Sequence, residues 1–396
     1  MRTSEAAEAP TPMWVVIGLA MGPAVALGLA RFAYALLLPA MRVDLGWDYA
    51  AAGAMNTANA AGYLAGALVA IPIARWTGDR RLFAVSLPLT AITVATSGLT
   101  TDFSVLLALR LVVGFTGALA FISGAGLAAA AATGGSNSRA PTLLGVYFAG
   151  AGIGIFASAV AVPTLLDMVG WRGGWLVLGA LAIAGAAFGC FVLRRSPEPA
   201  RVVGHREGGG WSPRTMAHNL LAYGLFGAGY IAYATFIIAY LRSDVGFSAA
   251  SVSLFWSILG LTSVAAAFLW GPILGRLPGG WGTAAAISVV MMGAALPLLW
   301  SGPAGAYLSA ILFGGSFLSV VAAVTAFTRK AARPHAWTAV IAVFTVVFGV
   351  GQCIGPVLSG ALSDGPNGVR SALWLSVGLL AAGSIVAVFQ GEPALE

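Results

Sequence analysis

The feature that most restricts the fold is a series of long apolar runs separated by short polar segments. The first run extends from Met13 to Ala40 and contains one charged residue before its end, Arg31. A membrane-spanning helix needs about 20 consecutive apolar residues. Only 8% of the chain is charged, against about 25% in soluble domains, and the runs lack the two-residue alternation of β-barrel strands. The sequence therefore predicts an all-α, multi-pass membrane protein.

Twelve runs are long enough to cross a bilayer. Most connections are short, but segment 194–214 is polar, rich in proline and glycine, and lies at the middle of the chain. We therefore predict an N-terminal six-helix half over 1–193, a cytoplasmic linker over 194–214 and a C-terminal six-helix half over 215–396. The predicted spans are 13–40, 48–73, 82–100, 103–132, 141–167, 173–193, 215–240, 248–274, 281–301, 303–328, 336–362 and 371–389.

Basic residues are distributed unevenly between the two sides of these spans. With the N-terminus in the cytoplasm, fourteen of the 20 Arg and Lys residues lie on the cytoplasmic side and four outside, while Arg31 and Arg110 lie within spans. Cytoplasmic loops of membrane proteins carry such an excess, so we expect both termini in the cytoplasm. Because the first apolar run is too long for the hydrophobic region of a signal peptide, we expect it to be kept as helix 1. The net charge of +7 then reflects topology and contact with lipid, and no nucleic-acid partner is expected.

The two halves repeat one another in sequence. GLARFAYA at 28–35 corresponds to GAGYIAYA at 227–234, and MRVDLGW at 41–47 corresponds to LRSDVGF at 241–247. The offset is 199 residues in the first pair and 200 in the second. Parallel six-helix repeats are typical of transporters whose halves rock about a central binding site.

Several motifs resemble those of the major facilitator superfamily. PIARWTGDRR at 72–81 is similar to its basic motif between helices 2 and 3, although Ala74 stands where an aspartate is usual. RLVVG at 110–114 resembles the helix 4 arginine motif, and GQCIGP at 351–356 resembles the helix 11 glycine-proline motif. RFAYALLLPAM at 31–41 resembles, more narrowly, the bacterial YbfB/YjiJ-like branch.

The resemblance implies a major facilitator fold of twelve helices in two six-helix repeats, with helices 1, 4, 7 and 10 lining a cavity. It also implies a monomeric transporter in the bacterial inner membrane that works by rocker-switch alternating access. It implies no particular substrate.

Two arginines lie within the predicted spans without an acidic partner. Helix geometry puts Arg31 roughly 14 Å, and Arg110 roughly 10 Å, from the outer ends of their spans. All 13 carboxylates lie in loops, tails or the outermost turn of a span. An arginine at a helix centre costs about 2.5–3.5 kcal/mol, and its planar fork binds two oxygens of an anion at once. We therefore predict a small organic anion as substrate, with carbonyls or water as the alternative partners.

A structural role is a specific alternative for Arg110. It matches a motif whose arginine, in the family, often packs against helix 1 carbonyls. The polar residues Asn56 and Asn59 on helix 2 are likewise open to two interpretations, since buried polar groups in a membrane either join helices or face a wet cavity.

One face of helix 7 is aromatic. Its rings lie at positions i, i+3, i+7 and i+10, which are Tyr223, Phe226, Tyr230 and Tyr233. Through the repeat, Tyr230 and Tyr233 correspond to Arg31 and Tyr34, so one half offers phenols where the other offers charge. Such a stripe fits the body of an organic anion, although helix packing is the alternative. The predicted substrate-binding residues are Arg31, Tyr34, Asn56, Asn59, Arg110, Tyr147, Tyr230, Tyr233, Trp256 and Gln352.

Energy coupling and other functions are constrained by what the spans lack. No span has an interior Asp or Glu, and the histidines are at 205, 218 and 335, on the predicted cytoplasmic side. We therefore expect facilitated transport, exchange, or a symport in which the substrate carries the proton. The sequence contains no metal-site or hydrolase motif, so we expect no enzyme and no cofactor. The alternatives are an exporter of neutral or cationic hydrophobic compounds and a receptor that binds without transport.

Overall fold

The computed structural model describes residues 13–133, 140–196, 212–333 and 336–392. Most of the predicted linker, at 197–211, lies outside this range, as do His205, His335 and both chain termini. The division into two domains at the linker stays a prediction.

The described residues of the N-terminal half form six helices. The fifth and sixth make one run, Ala140–Arg195, which is interrupted at Gly170 with φ 63° and ψ −176°. Only glycine adopts this conformation readily, so the chain can bend there between two spans. The helices are α1 Met13–Asp44, α2 Tyr49–Thr77, α3 Asp79–Thr96, α4 Phe103–Thr133, α5 140–169 and α6 171–195.

The C-terminal half repeats this arrangement within its described residues. Its third and fourth spans, α9 and α10, are separated at Gly302, whose φ of 129° again favours glycine. The helices are α7 Ala217–Ser243, α8 Ala249–Arg276, α9 Trp281–Leu299, α10 Pro303–Ala331, α11 Trp337–Ser363 and α12 Val369–Val388.

The twelve helices of the described ranges confirm the predicted all-α membrane fold. Ten helical stretches are long and apolar enough to cross a bilayer, and one of them, Thr142–Arg195, comprises α5 and α6. The remaining helix, α3, carries three charges in its first turn, Asp79, Arg80 and Arg81. It begins earlier than predicted because Gly78, with φ 81°, lets α3 start directly after α2.

Helices α1 and α7 form the centre of the molecule. In their most apolar windows 78% and 83% of the residues are buried, against at most 56% in the other spans. These are the helices that carry the repeated segments 28–35 and 227–234. Their central position brings Arg31 and Tyr230 to the boundary between the halves.

The halves pack tightly at the end where α1 stops and α2 begins, which is the outer end in the predicted orientation. There α2 lies on α11, with Gly53 against the Pro356 carbonyl and Gly360 against the Tyr49 carbonyl. The Asp364 carboxylate, at the end of α11, accepts hydrogen bonds from the backbone N–H of Tyr49 at 2.8 Å and of Ala50 at 3.0 Å. We call this contact between α2 and α11 the outer seal.

At the opposite end, a basic side chain in each half bonds backbone carbonyls near the end of a neighbouring helix. Arg80 donates to the carbonyls of Leu193 and, at 3.0 Å, Ser196, at the end of α6. Lys330 donates to the Gly275 carbonyl at 3.2 Å, near the end of α8. Basic side chains stabilise helix C-termini by bonding their free carbonyls, so each half is tied internally at its predicted cytoplasmic end.

Close contact between α2 and α4 allows a test of the packing. Gly114 lies so near the Asn59 carbonyl that an added Cβ would overlap it, whereas a Cβ at Gly378 would meet no atom within 4 Å. We expect Gly114→Ala to lower the free energy of unfolding by about 1–3 kcal/mol, the usual cost of overpacking. The matched control Gly378→Ala should be neutral or slightly stabilising. Thermal unfolding in detergent measures both, and equal Tm values for the two variants would contradict the packing.

Candidate functional site

Arg31 lies in an irregular turn at the middle of α1. Residues Ala24–Phe32 form a π-helical segment, and the Ala33 N–H bonds the Gly28 carbonyl five residues earlier at 3.1 Å. Turns of this kind frequently occur at functional sites. Arg31 is 3% exposed, and its Nε and Nη2 have no hydrogen-bond partner among the described residues. A buried guanidinium is thus left with free donors between the two halves.

Arg110 is held by the N-terminal half itself. Its Nη1 donates to the Ala30 carbonyl at 2.6 Å, and its guanidinium lies 5.1 Å from the Tyr34 ring and 5.4 Å from the Trp175 ring. Nε and Nη2 have no partner in the described part of the chain. This geometry suits the structural alternative for Arg110, because it ties α4 to α1 at the residue before Arg31.

Three further predicted residues make hydrogen bonds within the N-terminal half. The Tyr34 hydroxyl donates to the Ala52 carbonyl at 2.8 Å, and the Tyr147 hydroxyl donates to the Phe121 carbonyl at 2.5 Å. Asn59 Nδ2 donates to the backbone carbonyl of Arg110 at 3.3 Å. These bonds join helices of one half, so in this conformation Tyr34 and Tyr147 have no free hydroxyl hydrogen for a substrate.

Arg31 lies near a hydrogen-bonded pair of predicted residues from the C-terminal half. Gln352 Nε2 donates to the Tyr230 hydroxyl, and Arg31 is close enough to Tyr230 to interact with it electrostatically. The Arg31 guanidinium also lies 5.5 Å from the ring of Tyr63 on α2. We call Arg31, Tyr63, Tyr230 and Gln352 the central cluster. It consists of residues from α1 and α2 of one half and from α7 and α11 of the other.

Near-parallel rings extend from the central cluster into the C-terminal half. The Tyr230 ring stacks on Phe226 at 4.9 Å, on Phe348 at 5.7 Å and on Phe317 at 6.1 Å, with interplanar angles of 7–18°. Tyr223 continues the stack on Phe348 at 4.5 Å. We call these five rings the aromatic column. It includes the predicted helix 7 stripe as far as Tyr230.

The column reaches the other half at Phe317. The rings of Phe317 and Phe32, the residue after Arg31, form a T-shaped pair with their centroids 5.4 Å apart. Phe317 lies in a break of α10, between the helical segments that end at Gly314 and begin at Ser319. Broken helices often form transporter binding sites. Neither Phe317 nor Phe348 was among the predicted residues, and the paired glycines before Phe317 are the one sequence signal of the break.

The remaining predicted residues are farther along the interface or within the C-terminal half. Asn56 Nδ2 donates to Thr235 Oγ1 of α7 at 2.6 Å, so it does join the halves. The Tyr233 hydroxyl shares a 2.5 Å hydrogen bond with Ser309 Oγ. Trp256 is fully buried, and its Nε1 has no partner among the described residues. We find no described contact that brings Tyr233 or Trp256 to the central cluster.

Twelve helices in two repeats, with a polar cluster between the halves, define a transporter of the major facilitator type. Comparison with known families agrees with this class. Residues 23–388 match the family described as uncharacterised MFS-type transporter YbfB, and the chain belongs to that family. It is therefore a multi-pass membrane transporter of a small-molecule substrate, and not an enzyme.

A curated relative and two solved structures are similar over almost the whole chain. The chloramphenicol resistance protein of Streptomyces lividans is 28% identical over 378 residues, which are 92% of this chain and 93% of the relative. A bacterial homologue of the human lysosomal transporter Spinster, in an inward-facing and occupied conformation, has a TM-score of 0.72 at 16% identity, over 96% of this chain and 97% of that one. The nucleoside transporter NupG has a TM-score of 0.69 at 16% identity, over 94% and 97%. The two structures establish the fold alone.

Proposed function

We propose that the protein is a secondary transporter that moves a small organic anion across the bacterial inner membrane, with both termini in the cytoplasm. The observation that carries the proposal is Arg31, a buried guanidinium whose Nε and Nη2 have no partner among the described residues. No predicted span has an interior carboxylate to neutralise it. A carboxylate on the substrate supplies both the charge and two oxygens at the right spacing.

The position of the central cluster supports alternating access. Arg31 belongs to one half and Tyr230 with Gln352 to the other, so a bound anion bridges the halves and favours the closed state. When the outer seal opens, the same groups separate and release the ligand to the outside. A rigid-body rocking motion of the two halves about the cluster is then sufficient to expose the site to each side of the membrane in turn.

The same distribution of charged residues bears on whether transport is coupled to protons. With no interior Asp or Glu in the predicted spans, no carboxylate is available there to carry a proton. We propose facilitated or exchange transport, or a symport in which the acid enters in its protonated form. In the last case accumulation rises as the external pH falls towards the pKa of the substrate.

Export of uncharged hydrophobic compounds is a second candidate. It is supported by the relative named as a chloramphenicol resistance protein, at 28% identity, and by the aromatic column. Cationic cargo is disfavoured because the cluster holds an arginine and no acid.

A ligand screen separates the two candidates. Purified protein is heated with carboxylates, with chloramphenicol or with lipophilic cations at about 100 times a typical Kd, where binding adds about 2.7 kcal/mol. We expect carboxylates to raise Tm by a few degrees and to exchange in proteoliposome counterflow. A Tm shift with chloramphenicol alone, together with protection of cells, would favour the exporter. Binding without counterflow of any compound would contradict both candidates and indicate a receptor.

A further inference from the structure

Gln352 is a second group of the central cluster with an unsatisfied polar atom. It is 1% exposed, and its Nε2 donates a hydrogen bond to the Tyr230 hydroxyl. Its Oε1 has no partner among the described residues. A buried acceptor without a donor is unfavourable. The cluster thus presents the free donors of Arg31 and the free acceptor of Gln352, beside the Tyr230 hydroxyl, whose hydrogen has no acceptor among the described residues.

The shape of the site next to Arg31 is also specific. Phe32 adjoins Arg31 in sequence and meets Phe317 at 5.4 Å, and Phe317 lies 6.1 Å from Tyr230. The Arg31 guanidinium lies 5.5 Å from the Tyr63 ring and interacts with Tyr230, whose ring stacks on Phe317, so a group bound by Arg31 is next to aromatic rings from both halves. Aromatic rings pack best against other flat rings, in offset or edge-on geometry. When the halves separate, a flat ligand can take the place of the contact between Phe32 and Phe317.

We infer that the transported anion is an aromatic carboxylate that also carries a hydroxyl or amino group. Its carboxylate binds Arg31, its ring packs between Phe32 and Phe317, and its O–H or N–H donates to Gln352 Oε1. The inference rests on the proposed function and adds to it the class of substrate. It also makes Gln352 the residue that determines specificity.

The three interactions rank simple carboxylates in a definite order. Cyclohexanecarboxylate offers charge on a puckered ring, so it satisfies Arg31 alone. Benzoate adds a flat ring. A hydroxybenzoate with its hydroxyl at the matching position adds the donor for Gln352. A site built around a buried polar group rejects the analogue that leaves this group unpaired.

The experiment measures the Kd of the full-length protein for cyclohexanecarboxylate, benzoate and the 2-, 3- and 4-hydroxy- and aminobenzoates. We expect one of the substituted benzoates to bind about tenfold tighter than benzoate, and benzoate to bind several-fold tighter than cyclohexanecarboxylate. Gln352→Met conserves volume and removes the acceptor, so it should abolish the preference for the substituted ring, measured within the variant as the ratio of its Kd values for benzoate and the substituted benzoate. The wild-type series is a test by itself if this variant does not fold.

The outcomes distinguish failure of the inferred substrate class from failure of the proposed function. Equal Kd values for all the carboxylates, or an unchanged preference in Gln352→Met, would overturn the inference and leave the proposed function standing. If no carboxylate binds, the proposed function itself fails. A preference for substituted benzoates that Gln352→Met removes would support both.

Discussion

Replacing Arg31 by alanine is expected to abolish transport of the anion. The substitution removes the buried charge of the central cluster and both of its free donors, while the Tyr230–Gln352 pair stays in place. Loss of one member of a buried, hydrogen-bonded charge pair costs about 2–5 kcal/mol, which corresponds to a roughly 30-fold or greater loss of affinity. Counterflow in proteoliposomes, with equal amounts of reconstituted protein, measures the effect.

Arg31→Lys and the stability of the ligand-free protein serve as controls. Lysine keeps the charge and loses the planar fork, so its transport should lie between those of wild type and Arg31→Ala. In the ligand-free protein alanine removes an unpaired buried charge, so Tm should stay equal or rise, as is common when binding residues are replaced. A variant that is destabilised and still transports at the wild-type rate would show that Arg31 has a packing role.

Replacing Gly53 by leucine is expected to hold the outer seal open. Gly53 lies directly against the Pro356 carbonyl, with no space for a Cβ, so a leucine side chain must push α2 away from α11. The halves could then no longer close at this end, and we expect transport to fall at least tenfold in a protein that still folds. The bulk control is Gly378→Leu, where an added Cβ meets no atom within 4 Å.

Native Cys353 provides a reporter for this prediction. It lies on α11 in the outer seal, where its carbonyl accepts a 2.8 Å hydrogen bond from Thr57 Oγ1, and its side chain is half-buried. In a Cys190→Ser background, Gly53→Leu should increase the rate at which a membrane-impermeant maleimide added from outside labels Cys353. Unchanged labelling with lost transport would mean that the substitution damages the fold and does not hold the seal open.

The fold could be predicted because its determinants are local. Apolar length acts within each span, and the repeat at about 200 residues relates equivalent positions of the two halves. The central positions of α1 and α7 were implied by the family resemblance. The π-helical segment that carries Arg31 could not be predicted from local sequence, and in the structure it packs closely against α5, with Gly28 next to Gly154.

The candidate site could be predicted only in part. Helical spacing identified Tyr230 and Tyr233 as one face, but it does not say which hydroxyl finds a partner in its own half. Tyr233 bonds Ser309, whereas Tyr230 bonds Gln352 next to Arg31. Phe317 joins this group because α10 breaks beside it, and a break of this kind depends on long-range contacts such as the 2.8 Å bond from Trp270 Nε1 to the Gly315 carbonyl.

The Asp364 carboxylate has a consequence for the energetics of the cycle. The first N–H groups of a helix have no partner inside it, and in α2 Asp48 satisfies only that of Ala51, at 2.7 Å. Tyr49 and Ala50 donate to an acceptor of the opposite half, so the first turn of α2 is fully hydrogen-bonded only while the outer seal is closed. If the halves rock as proposed, each turnover transfers these two amides to water and back, so the backbone at the start of α2, together with Asp364, contributes to the barrier to reorientation.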